Sequence, residues 1–169
     1  MCVLFLEIMA TKDLSSYDPS VVPDATEMRF AIIVSDWNSE VTYSLLDGAI
    51  NTLRKHGVHE QAIIVKHVPG SFEIPLAAQW IAEYDDVDGV ICLGCVIQGE
   101  TPHFTYVCQA VTRGISVLNL EYNIPFIFGI LTTDTQQQAI DRSGGKLGNK
   151  GDEAALTAIK MAALQKEME

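Results

Sequence analysis

Unbroken apolar blocks alternate along this chain with stretches in which apolar positions recur every three or four residues. Phe30–Ser35 (FAIIVS) is the first block, the kind of run that a strand buried on both faces presents. Residues 62–68, 89–97 and 126–131 repeat it. Between the first two, Val41, Leu45, Leu46, Ala49, Ile50 and Leu53 share one helical stripe, with turn and cap residues at 36–39 ahead of it and Gly57 behind. A second helix is predicted from Pro75 to Tyr84, after the break at Pro69-Gly70. A third is predicted from about Pro102 to Leu120, and a short fourth is capped by Thr135 and runs to Arg142. An alanine-rich fifth runs from Asp152 to about Gln165. This alternation predicts a parallel sheet with helices on both faces. Ligands of such sheets bind beyond the carboxyl ends of the strands. The segments there are 36–39, 69–73, 96–103 and 132–135, and they hold almost every unusual residue in the chain.

Ahead of the first strand the pattern is lost. Residues 10–28 hold two prolines, three serines and four acidic residues, and read as a loose arm preceding one domain at 29–169. Residues 1–8 (MCVLFLEI) are apolar but too short to span a membrane, and lack the features of a signal peptide. Met9 is an alternative start. The 169 residues suit one domain, and 48% hydrophobic with 20% charged is a globular composition. A net charge of −11 argues against nucleic acid, whose phosphates need a basic surface. The cations that could meet an anionic ligand gather late, at Arg142, Lys146 and Lys150.

The densest chemistry lies in Gly94–Phe104, GCVIQGETPHF, where a strand end passes through a turn into a helix start. Unpartnered N–H groups at such a start form an anion site. His103 sits one step inside it, and an imidazole suits proton transfer near neutral pH. Together they suggest a phosphorylated substrate and proton-transfer chemistry. Cys92 and Cys95 have redox-motif spacing, but on a strand they point to opposite faces, and with no second Cys/His pair at zinc spacing they read as reduced, buried thiols of a cytoplasmic protein. Cys95 as a nucleophile with His103 as its base lacks an evident third member. Trp37, in a polar turn, is either an edge-of-core residue or a platform for an aromatic ligand. Ser71, Phe72 and Glu73 taken alone read as a plain capping arrangement, with a polyhydroxylated ligand as the alternative. Arg142 and Lys146, separated by two glycines, read as a loop cluster that either binds phosphate or complements a helix dipole.

Five collinear motifs decide among these. SDWN at 35–38, VPGSFEIP at 68–75, GCVIQGETPHF at 94–104, FGILTT at 128–133 and DRSGGKLGNKG at 141–151 together resemble the lumazine synthase family, over about Arg29 to Leu164. The resemblance implies a flavodoxin-like three-layer α/β sandwich with a four-stranded parallel sheet. It implies the condensation of 5-amino-6-(D-ribitylamino)uracil with 3,4-dihydroxy-2-butanone 4-phosphate to 6,7-dimethyl-8-ribityllumazine, the penultimate step of riboflavin biosynthesis, with no cofactor and no metal. Trp37 takes the place of the aromatic residue that stacks on the pyrimidine, which is phenylalanine in most members. Ser71, Phe72 and Glu73 match the ribityl-binding segment, and Cys95, Val96 and Ile97 the strand end whose backbone reads the pyrimidine edge. Glu100 and Thr101 match the phosphate-binding helix start, and His103 the proton-transfer residue. Phe128 and Arg142 match residues that a neighbouring subunit contributes, with Lys146 a further cation of that cluster. Gln98 stands where many members carry arginine.

The same resemblance implies a homo-oligomer with shared active sites, a pentamer or a sixty-subunit shell. The arm adds a strand to a neighbour's sheet, riboflavin synthase is an implied partner, and the short GGKLGNKG linker leans toward shell formers. A flavin-storage protein and an archaeal-type riboflavin synthase are the competing readings. Intact His103 and Arg142 oppose the first and the GETPHF block the second.

Overall fold

The structure is a computed structural model that describes residue 13 and residues 15–169. The expectations for residues 1–8 and for Met9 lie outside the described residues.

Four parallel strands form the sheet, β1 (Phe30–Ser35), β2 (Ile63–Val68), β3 (Gly89–Ile97) and β4 (Phe126–Thr133), in the order β2-β1-β3-β4. Central β1 is fully buried, which its unbroken apolar run requires. Helices α1 (Ser39–Lys55) and α5 (Lys150–Met168) cover one face, α2 (Ile74–Tyr84) and α3 (His103–Tyr122) the other. Side chains alternate between two cores. Phe30, Ile32, Val34, Ile91 and Leu93 meet Leu45, Leu53 and Ile159 on the first face. Ala31, Ile33, Val90 and Ile130 meet Ile74, Ile81 and Ile115 on the second. The flavodoxin-like, three-layer α/β expectation is the observed architecture.

Several boundaries shift for local reasons. Ala62 closes a 3-10 turn (Glu60–Ala62) instead of opening β2. Strand β4 continues to Thr133 because Thr132 and Thr133 pair with Val96 and Ile97. Helix α5 starts two residues early because the Asn149 side chain caps it, accepting from the Gly151 N–H at 2.8 Å. The expected loop after α4 (Gln136–Asp141) is in part a small antiparallel hairpin, β5 (Ser143–Gly145) with β6 (Gly148–Asn149). Gly144 and Gly148 supply its positive φ angles.

The described part of the arm lies against its own domain. Tyr17 hydroxyl meets His56 Nε2 at 3.0 Å beneath the Lys55 ammonium, the Ser15 hydroxyl accepts from the Asn149 N–H, and Ala25 and Met28 are buried.

Candidate functional site

The strand ends are stitched into one rim. The Asp36 N–H donates to Val68 O at 2.8 Å and the Trp37 N–H to Pro69 O at 3.0 Å, tying β1 to β2. The Gln98 N–H donates to Thr133 O at 2.8 Å, tying β3 to β4. The link between these pairs is Asn38, which the sequence reading treated only as a turn residue. It adopts the left-handed conformation (φ 60°), and its side-chain amide donates to Cys95 O at 3.0 Å. Asparagine tolerates that φ better than most residues, which was the one available signal. Its partner across the sheet was not readable from the chain.

Trp37 stands on this rim with 65% of its surface exposed. Its ring lies so close to Gly70 that a Cβ there would come within 2.6 Å of it. An aromatic ring packed against backbone with most of its area facing solvent is open to stacking by a planar ligand. Beside it, Ser71–Glu73 forms a 3-10 turn leading into α2. The capping reading of this segment fails. Neither Gly70 nor Glu73 caps through its side chain, and Ser71 Oγ and Glu73 Oε2 are buried without any hydrogen-bond partner. Buried polar atoms are seldom left so, and a ligand rich in hydroxyls would satisfy both. Ser71 reaches its position because residue 94 is glycine, where a Cβ would fall 2.5 Å from Ser71 Oγ. Phe72, between them, is exposed.

Cys95 is buried, and Val96 and Ile97 are half-buried at the end of β3. Cys92 and Cys95 do face opposite cores, and burial pushes their thiols up to about 12 and about 11. Both are neutral at physiological pH, so neither is an activated nucleophile. Glu100, Thr101 and His103 are exposed where the loop after β3 enters α3, whose start has no side-chain cap. His103 thus stands in the open at a helix N-terminus. Among the described residues, no cluster of His, Cys, Asp or Glu is arranged to hold a metal ion.

The remaining candidates lie elsewhere. Phe128 is paired in register with Cys92 on β4, the outer strand, and is 38% exposed. It stands two strands over and about four residues back from Trp37, roughly 15 Å by strand geometry. Arg142 and Lys146 line a cleft on the outer side of β4 with Thr132, Thr133 and Lys150. The three cations are not equivalent. Lys146 pairs with Asp141 at 3.0 Å and Lys150 with Glu153, whereas Arg142 has no ion pair among the described residues. Asp141 itself is held below the usual carboxylate range, first by the Gln137 amide and then by Lys146. Arg142 is thus the one of the three cations without a carboxylate partner among the described residues, and the cleft it lines does not include Trp37.

Comparison with known proteins identifies the family. Residues 27–166 match the model of the 6,7-dimethyl-8-ribityllumazine synthase family. A 6,7-dimethyl-8-ribityllumazine synthase of Parabacteroides distasonis is 60% identical over 152 residues, covering 90% of this chain and 95% of that one. Those of Cytophaga hutchinsonii and Phocaeicola vulgatus are 55% and 52% identical, over 91% and 95% of this chain and 96% and 95% of theirs. A family match over residues 27–166 and relatives at 52–60% identity over nearly the whole chain place it in one group: the chain is a member of the 6,7-dimethyl-8-ribityllumazine synthase family.

Proposed function

We propose that this chain condenses 5-amino-6-(D-ribitylamino)uracil with 3,4-dihydroxy-2-butanone 4-phosphate to 6,7-dimethyl-8-ribityllumazine, releasing phosphate and water, in a reducing cytoplasm that suits its free thiols. The observation that carries the site assignment is the pair of buried, unpartnered oxygens on Ser71 and Glu73 beside the exposed Trp37 ring. The pyrimidine stacks on Trp37, its edge is read by the Cys95–Ile97 backbone, and the ribityl chain lies along Ser71, Phe72 and Glu73. The phosphate sits at Glu100-Thr101, where the N–H groups at the start of α3 meet it.

The uracil's primary amine attacks the ketone, and loss of water leaves an imine. Phosphate is then eliminated and the ring closes with loss of a second water. Each step moves a proton, and His103 carries it, exposed beside the phosphate position. Elimination places charge on the departing phosphate, which Arg142 stabilises with its planar fork of donors, supported by Lys146. Holding both reactants on one rim supplies much of the remaining acceleration.

A site with its arginine on the far side of β4 requires another subunit. Phe128 and Arg142 of one chain complete the rim of the next, in a homo-oligomer such as a pentamer or a sixty-subunit shell, with riboflavin synthase as a candidate consumer of the product. Two surfaces support assembly. Phe72, Leu76, Trp80 and Tyr84 form an exposed stripe with a period of four residues along α2, and β4 leaves Phe128 uncovered.

The test is an absorbance time course with both substrates, corrected for their uncatalysed condensation. Lumazine formation above background is the expected result. Folded, oligomeric protein with no rate above background would favour storage without turnover.

A further inference from the structure

The rim carries one polar cluster with no role in the reaction above. Asp36 Oδ1 accepts from the Tyr43 hydroxyl at 3.0 Å and meets His67 Nδ1 at 2.9 Å. The His67 and Tyr43 rings are themselves in edge contact, with centroids 5.5 Å apart at 88°. The cluster therefore joins three segments, the turn after β1 through Asp36, β2 through His67 and α1 through Tyr43. Its carboxyl is held below its ordinary range, first by His67 and then by Tyr43.

The location gives the cluster its meaning. Asp36 precedes Trp37, whose ring has no hydrogen-bonded partner among the described residues. On its other side Asn38 is tied to Cys95. Both backbone neighbours of the platform are thus anchored by side chains, and its own N–H is anchored to Pro69 O. A stacking platform contributes most when its ring is already in place, because ordering it on binding costs affinity. We infer that His67 and Tyr43 are positioning residues for the Trp37 platform, acting through Asp36 to fix the ring for the aromatic substrate. The inference rests on the proposed reaction for its kinetic consequence but not for its physical one.

Two substitutions at His67 separate donation from bulk. His67→Phe keeps a ring against Tyr43 and loses the hydrogen bond to Asp36, while His67→Gln loses the ring and keeps an amide donor. The first readout needs no substrate. Time-resolved fluorescence anisotropy of Trp37 is obtained as the difference between each protein and the same protein carrying Trp37→Phe. His67→Phe should at least double the amplitude of sub-nanosecond ring motion, and His67→Gln should restore it. The second readout is kinetic. His67→Phe should raise KM for the ribitylaminouracil five- to tenfold, with kcat and KM for the butanone phosphate within twofold of the parent. Unchanged Trp37 motion in His67→Phe overturns the inference, as does an equal rise in both Michaelis constants. A parent protein that forms no lumazine would overturn the reaction while leaving the anisotropy test intact.

Discussion

The rim around Trp37 and the cleft around Arg142 both carry polar groups but are finished to different degrees. At the rim, backbone and side-chain hydrogen bonds join all four strand ends, and Ser71 Oγ and Glu73 Oε2 are left without a partner among the described residues. At the cleft, Lys146 and Lys150 are neutralised locally and the leftover group, Arg142, lies on the outside of an edge strand. The rim thus leaves unpartnered oxygens beside an exposed ring, and the cleft leaves a cation with no carboxylate partner among the described residues. Under the proposed reaction, a site that draws on both would tie catalysis to assembly.

The strongest way to break this comparison is complementation. His103→Ala should lower kcat by about 10²- to 10⁴-fold, the usual share of a proton-transfer residue. Arg142→Ala should raise KM for the butanone phosphate roughly tenfold or more, as expected for loss of a charge-assisted contact of about 1.5–3 kcal/mol. Co-refolding the two impaired proteins, assayed at butanone phosphate well below KM, should restore parent-like sites in about a quarter of cases if each site draws on two chains. No recovery in mixed oligomers would mean that both residues serve one chain's own site.

A second test is confined to the rim. Gly70→Ala would drive a methyl group into the Trp37 ring, so KM for the uracil should rise while KM for the phosphate substrate holds. Equal changes in both would remove Trp37 from pyrimidine binding. Gly94→Ala should cost about 1–3 kcal/mol in denaturant unfolding, since its Cβ meets Ser71 Oγ and the Ile74 and Ile130 side chains in a packed core.

The smallest effect belongs to the cleft. The folded pKa of Asp141 is depressed, so its contribution to stability is complete above the ordinary carboxylate value of about 3.9 and is lost as pH falls toward the lower folded value. Asp141→Asn should therefore lower Tm at pH 7, and the two melting profiles should converge as the medium is acidified. A constant gap across pH would show that Asp141 acts by packing alone.

How much of this was legible in the chain follows physical signal. The four strands and the long helices were readable because burial on two faces demands unbroken apolar runs and burial on one face demands a stripe. The β5–β6 hairpin was not, because strands made of Ser-Gly-Gly and Gly-Asn carry no hydrophobic pattern. Trp37 was readable as unusual, but Asn38 was not, because its bond to Cys95 O crosses 57 residues of sequence. Taken alone, the segment reads as a cap at Ser71 with Glu73 as an acid in the first turn, for a related reason. A hydroxyl and a carboxylate before a helix suggest capping until burial shows that no N–H reaches them.

Helix α1 touches both halves of this divided design. Its first residue follows Asn38, and about a turn and a half later Ser44 accepts the Asn149 amide on its carbonyl and donates its hydroxyl to Ser143 O. Gly151 lies so close to Leu45 O that any side chain there would collide with it. The separation between platform and hairpin is thus measured off by a ruler whose graduations are fixed at about 1.5 Å and 100° per residue. One residue added between Ser39 and Ser44 would not lengthen this gauge smoothly. It would swing the hairpin around the helix axis, so this dimension can be reset only in whole steps.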